Sequence, residues 1–114
     1  PPGKGSVTGL GQVIENAGQI NKDLLLNGRV KGAKPKDFLY DYEIIVTGFD
    51  VKVGNLPQKT VKGSKVASNN QAASDVKSSS RGTVIVFSNI KASSKDGDVV
   101  TPNYAVEDFI VIVK

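Results

Sequence analysis

Residues 38–53 alternate in polarity, and then the alternation inverts. Phe38, Tyr40, Tyr42, Ile44 and Val46 share one parity, while Asp41, Glu43 and Thr47 hold the other together with Leu39. Successive side chains on a strand point to opposite faces, so this segment reads as a strand with one apolar and one polar face. After Gly48 the apolar set becomes Phe49, Val51 and Val53, against Asp50 and Lys52. A slip of one residue turns every side chain over. A chain that keeps both halves on one core therefore needs a β-bulge or bend at the glycine. Two separate strands meeting at Thr47-Gly48 are the alternative.

The rest of the chain reads as more β structure with little helix. Residues 1–5 are rich in Pro and Gly and read as a linker or domain entry, leaving 6–114 as one β-rich domain. From Ser6 the apolar residues Val7, Leu10, Val13, Ile14 and Ala17 fall at helical spacing, with Ser6 as N-cap and Gly18 as the stop. Gly9 and Gly11 weaken such a helix by about 1 kcal/mol each, so it must be held by packing. Ile20, Lys22, Leu24 and Leu26 alternate before Asn27-Gly28, which predicts a strand and a turn. Residues 60–66 read as a short strand. Residues 67–80 read as a short helix started by Asn70, or as a loop, with Ala72, Ala73 and Val76 facing the core. Residues 83–90 form a dense β-branched run, and Lys95, Asp96, Gly97 and Asp98 give a strong turn signal. Pro102 interrupts the extended chain that follows. Residues 107–113 read as a closing strand with Phe109, Val111 and Val113 on one side and Ile110 and Ile112 on the other, and apolar faces on both sides predict a central, buried strand.

Composition bounds the chemistry. The chain has 114 residues, the length of one domain, and its longest apolar run is Phe109 to Val113. A helical membrane span needs about 20 apolar residues. His and Cys are both absent. The usual zinc and copper sites and the Ser-His and Cys-His nucleophilic mechanisms cannot be assembled within this chain. No enzymatic activity, metal or cofactor is expected. Met is absent too, so Pro1 reads as an internal position of a longer protein whose signal or anchor lies upstream. The net charge of +4 is mild. The lysine clusters read as solvated loops or edge strands rather than as a nucleic-acid surface.

Several motifs fail on spacing. Gly3-Lys4-Gly5-Ser6 lacks the upstream glycine and the Lys-Ser adjacency of a phosphate loop, and Gly9-x-Gly11 lacks the third glycine of a dinucleotide fingerprint. Asp96 and Asp98 begin like a calcium loop, but Val99 and Val100 break it. Glu107 and Asp108, if on a strand, point to opposite faces and share no substrate. Recognition is then left to loops and edges. The turn Lys95, Asp96, Gly97 and Asp98 with the nearby Tyr104 offers both charges and one aromatic, a minimal protein-contact set; the basic loop 29–36 is the fallback.

One family fits these patterns. Residues 40–53, YDYEIIVTGFDVKV, resemble the aromatic strand and the V-x-x-F-x-V strand of the C-terminal domain of GldM/PorM proteins. Residues 81–92, RGTVIVFSNIKA, are similar to that domain's R-G-x-K-V-x-x-x-x-I-K-A strand. Asp96-Gly97 resembles its P-D-G turn, and residues 109–114 its closing strand. There are departures: Ser88-Asn89 stands where the family carries acidic residues, the basic loop 29–36 is extra, and residues 104–107 replace a Leu-Pro-Pro approach.

The resemblance implies a non-catalytic module of a periplasmic shaft in gliding motility and type IX secretion in Bacteroidota. It implies inner-membrane anchoring upstream, a homodimeric full-length protein, and contact with a ring complex under the outer membrane. The expected fold is mainly β, about seven strands in sandwich-like antiparallel sheets, with an N-terminal helix and a second short one. The rival readings are an extracellular adhesin-type sandwich at the cell surface that binds glycan or protein and, more distantly, a nucleic-acid-binding barrel.

Overall fold

A computed structural model describes residues 3–33 and 43–114. Phe38, Leu39, Tyr40, Asp41 and Tyr42, together with Lys34 and Lys36 of the basic loop, lie outside the described residues. The fold is mainly β and sandwich-like, as the alternation predicts, with nine strands among the described residues rather than about seven.

The first strands replace the expected N-terminal helix. β1 (Gly5–Gly9) and β2 (Gln12–Glu15) form a hairpin closed by Leu10 and Gly11, at φ 48° and 75°. Positive φ at both central residues is the type I′ pattern that suits the strand twist. Leu10 and Val13 are exposed, so the helical spacing does not mark a buried stripe. Glycines that weaken a helix cost less in this hairpin, where β1 also pairs antiparallel with β4 (Arg29–Gly32). The smaller sheet runs β2-β1-β4.

A helix then stands where alternation predicted a strand. After β3 (Gly18–Ile20), Asn21 caps α1 (Lys22–Asn27): its Oδ1 accepts from the Leu24 amide at 2.8 Å. Leu24 and Leu25 are buried by this turn, which alternation alone would have split between faces. Gly28 is not a hairpin residue. Its amide donates to the Leu24 carbonyl at 2.7 Å and ends the helix.

The larger sheet is built on two long strands, β5 (Glu43–Val53) and β7 (Val84–Asp96). The parity change at Gly48 is a true bulge within one continuous strand. Val46 faces Ala92 and Gly48 faces Lys91, so Thr47 is the extra residue. β7 carries a compensating irregularity: Asp50 faces Ser88, leaving Asn89 and Ile90 opposite Phe49. Asn89 takes φ 47°, and the buried set on β7 shifts from Ile85 and Phe87 to Ile90 and Ala92. Both strands thus turn over together and keep one core.

The short edge strand β6 (Lys59–Lys62) pairs with β5. Val66 lies beyond it in a 3-10 turn, not in the strand. α2 (Asn70–Ser78) forms as expected and buries Ala72, Ala73 and Val76, but its cap is Asn69, whose Oδ1 accepts from Gln71 and Ala72. β8 (Val99–Ala105) continues through Pro102. An added residue at Pro102-Asn103, with Asn103 at φ 62°, absorbs the proline on an edge. β9 (Phe109–Val113) is central, parallel to β3 and antiparallel to β7. Phe109, Val111 and Val113 are buried, whereas Ile110 and Ile112 are only half-buried. Central placement is therefore as expected, but only one face of β9 is covered.

The core lies between the two sheets and under both helices. Phe49, Phe87 and Phe109 form its spine, with ring centroids 5.6 and 4.7 Å apart. β1 crosses this spine at Gly5, where a Cβ would fall on the Phe109 ring.

Candidate interaction surface

The β7–β8 hairpin carries the predicted contact residues. Asp96 faces Val99 and Lys95 faces Val100, so Gly97 and Asp98 alone form the turn. Gly97 sits at φ 59° and Asp98 is not at positive φ, the pattern of a type II′ turn with glycine first. Lys95, Asp96, Gly97 and Asp98 are all exposed. Lys95 also faces Glu43 on β5, so opposite charges stand side by side across the strands.

Two further residues belong to this tip. Val99 and Val100 are 68% and 56% exposed. Adjacent valines straight after a turn were the available signal, since strand alternation would bury at most one of them.

Tyr104 is not at the tip. It faces Ala92, four residues along β7 from Asp96, or roughly 13 Å at strand rise. Its hydroxyl donates to the Ala33 carbonyl at 3.1 Å, and its ring packs against the core beside Gly3. The Tyr104 side chain therefore helps seat the entry chain, where the Gly3 amide donates to Ala105 and the Glu107 amide to Gly3. In the fallback loop, Arg29 and Lys31 lie on β4, and Arg29 Nη1 donates to Ser64 Oγ at 3.4 Å.

Sequence reasoning missed a polar cluster on the open face. Asp50 accepts from Asn89 and Thr60, each at 2.8 Å, and from Gln58 at 3.2 Å. The hydrogen bonds from Asn89 and Thr60 hold its carboxyl below the usual range, with a smaller contribution from the Lys91 charge; partial burial opposes them. Three donors on one half-buried carboxylate fix strands; they leave it poorly placed as a base. Lys59 and Asp75 form an ion pair at 2.9 Å that ties β6 to α2.

Glu107 and Asp108 precede β9 rather than lie in it, and both line one cleft of about 320 Å³ with Lys4, Gly5, Glu15, Asn16 and Phe109. The opposite-face expectation, which assumed a strand, does not hold there. Among the described residues no three acidic side chains converge as metal ligands, and no helix is long and apolar enough to cross a membrane.

The family model for the GldM C-terminal domain matches residues 1–114, the whole chain. No curated protein matches it.

Proposed function

Because the chain belongs to the GldM C-terminal domain family, a component of gliding motility and type IX secretion, we propose that it is the non-catalytic interaction domain of a periplasmic shaft. In this reading the full-length protein is an inner-membrane-anchored homodimer, and this domain meets a ring complex under the outer membrane. The whole-chain family match is the observation that carries it. The β7–β8 tip is the contact we assign to that role. It presents Lys95, Asp96 and Asp98 on a rigid turn, with two exposed valines beside them. A small apolar centre ringed by charge is the usual anatomy of a recognition patch.

Site-specific photocrosslinking in cells tests both parts. A crosslinker at Asp98 is expected to capture an outer-membrane-associated ring protein, and one at Lys77 on α2 is not. Capture from Lys77 alone would move the interface. Cleavage of the domain by protease added to intact cells would instead support the surface-adhesin reading.

A further inference from the structure

The face of the larger sheet turned away from the core carries an apolar block. Val84 and Val86 on β7 stand opposite Ile112 and Ile110 on β9. Directly opposed residues of an antiparallel pair share a face with Cβ atoms about 5 Å apart, so the four form one patch. Their chain neighbours Ile85, Phe87, Phe109, Val111 and Val113 point inward and are buried. Among the described residues, none of the four belongs to the core or packs on it. Val84 is 41% exposed and the other three are half-buried. Elsewhere this face is mainly polar, as the open face of an antiparallel sheet normally is: Asp50, Lys52, Thr60 and Lys62 occupy it, with Ile45 a single exposed aliphatic farther along β5. Single surface aliphatics need no explanation, but a contiguous block rimmed by polar groups marks a binding surface.

The rim says what binds. Lys52 stands opposite Val86, and Gln19 stands opposite Ile112. At one end of the block, Ile112 joins Arg81, Gly82, Val113, Lys114 and Gln19 in a cleft of about 420 Å³. Lys52, Arg81 and Lys114 are exposed cations. Asp50 lies on the same face and keeps its negative charge beside Lys52, but the cleft itself is lined by Arg81 and Lys114 and by no acidic side chain. A second copy of this surface would set cations against cations, so the face does not complement itself.

We propose that the Val84–Val86–Ile110–Ile112 face docks a protein segment whose aliphatic side chains stand next to carboxylates, one carboxylate entering the cleft between Arg81 and Lys114. This surface is separate from the β7–β8 tip, and its failure leaves that assignment standing.

Two synthetic ten-residue peptides, one alternating Val with Glu and one alternating Val with Lys, test it against the full chain by amide chemical shifts. The Val-Glu peptide is expected to move residues 84–86 and 110–112. The V84T/I112T variant and R81E are each expected to weaken it at least tenfold, and the Val-Lys peptide is expected to bind at least tenfold more weakly. Threonine keeps the β-branch; should that variant not fold, R81E changes an exposed residue and still decides. Shifts elsewhere, equal response to both peptides, or an R81E variant that binds normally overturn the proposal. Binding to phosphatidylglycerol vesicles lost in R81E would assign the face to lipid, and a concentration-dependent dimer lost in V84T/I112T would assign it to a second copy. Either result also overturns it.

Discussion

Asp50 Oδ2 accepts a 2.8 Å hydrogen bond from the Asn89 side-chain amide, across the point where β5 and β7 change register. Asn89 holds φ 47°, a left-handed conformation that asparagine tolerates better than most residues. Thr60 adds a donor from β6, so one carboxylate joins three strands at the bulge. Asn89→Ala loses the hydrogen bond and keeps the backbone strain. It should destabilise by about 1–2 kcal/mol in urea unfolding, and Asn89→Gly by less, because glycine adopts this φ freely. Equal losses would show that the backbone conformation contributes nothing.

Acid should reveal the same contact. The Asn89 and Thr60 hydrogen bonds place the Asp50 carboxyl below its ordinary 3.8 in the folded protein. A group with a depressed folded pKa stabilises fully above its unfolded value, and that contribution is lost as pH falls through the folded value. Stability attributable to Asp50 should thus be constant above about pH 5 and fall below 3.8. Asp50→Asn should flatten that acid limb; urea midpoints between pH 2 and 6 check it.

Gly48 tests the bulge from the other strand. Its φ is not positive, so backbone strain is not the issue. A Cβ there would meet the Val61 carbonyl at 3.2 Å, tighter than normal contact. Gly48→Val should cost about 1–3 kcal/mol by crowding β6. A neutral result in chemical denaturation would mean that the edge strand yields.

Leu10 offers the opposite sign. A leucine at φ 48°, 72% exposed, sits where a type I′ turn prefers asparagine. Leu10→Asn should raise stability by about 0.5–1 kcal/mol and the melting temperature with it. A fall would show that Leu10 makes a contact worth more than the strain.

The stacked rings of Phe87 and Phe109, 4.7 Å apart at 13°, close the core beneath β1. Phe109→Ala should cost about 3–5 kcal/mol. Gly5→Val, which adds side chain onto that ring, should cost at least about 1 kcal/mol. Thermal melts of both variants check the packing.

Much of the larger sheet is legible in the sequence. Alternation assigns faces, so the inversion at Gly48 pointed to a bulge or to two separate strands, and the two apolar parities of residues 109–113 pointed to a central strand, though Ile110 and Ile112 on its second face are only half-buried. Positive φ at Gly97 follows from glycine at the first position of a two-residue turn. The candidate site was legible only at its tip: Lys95, Asp96, Gly97 and Asp98 are a local turn, and local chemistry sets it.

What the sequence by itself determined is therefore the periodicity of its strands and the chemistry of its turns, because both are set by residues a few positions apart. Tertiary structure decided the rest. Residues 6–17 carry helical spacing, yet β4 offers β1 a hydrogen-bonding edge, and a glycine-weakened helix cannot match that pairing. Residues 20–26 carry strand spacing, yet packing against β1 and α2 buries Leu24 and Leu25 together on one helical turn that the Asn21 cap starts. Tyr104 lies beside the turn in sequence, but the Pro102-Asn103 bulge and the Ala33 carbonyl carry it to the core. Such outcomes depend on partners far away in the chain, whose free energies compete with local preference and here exceed it.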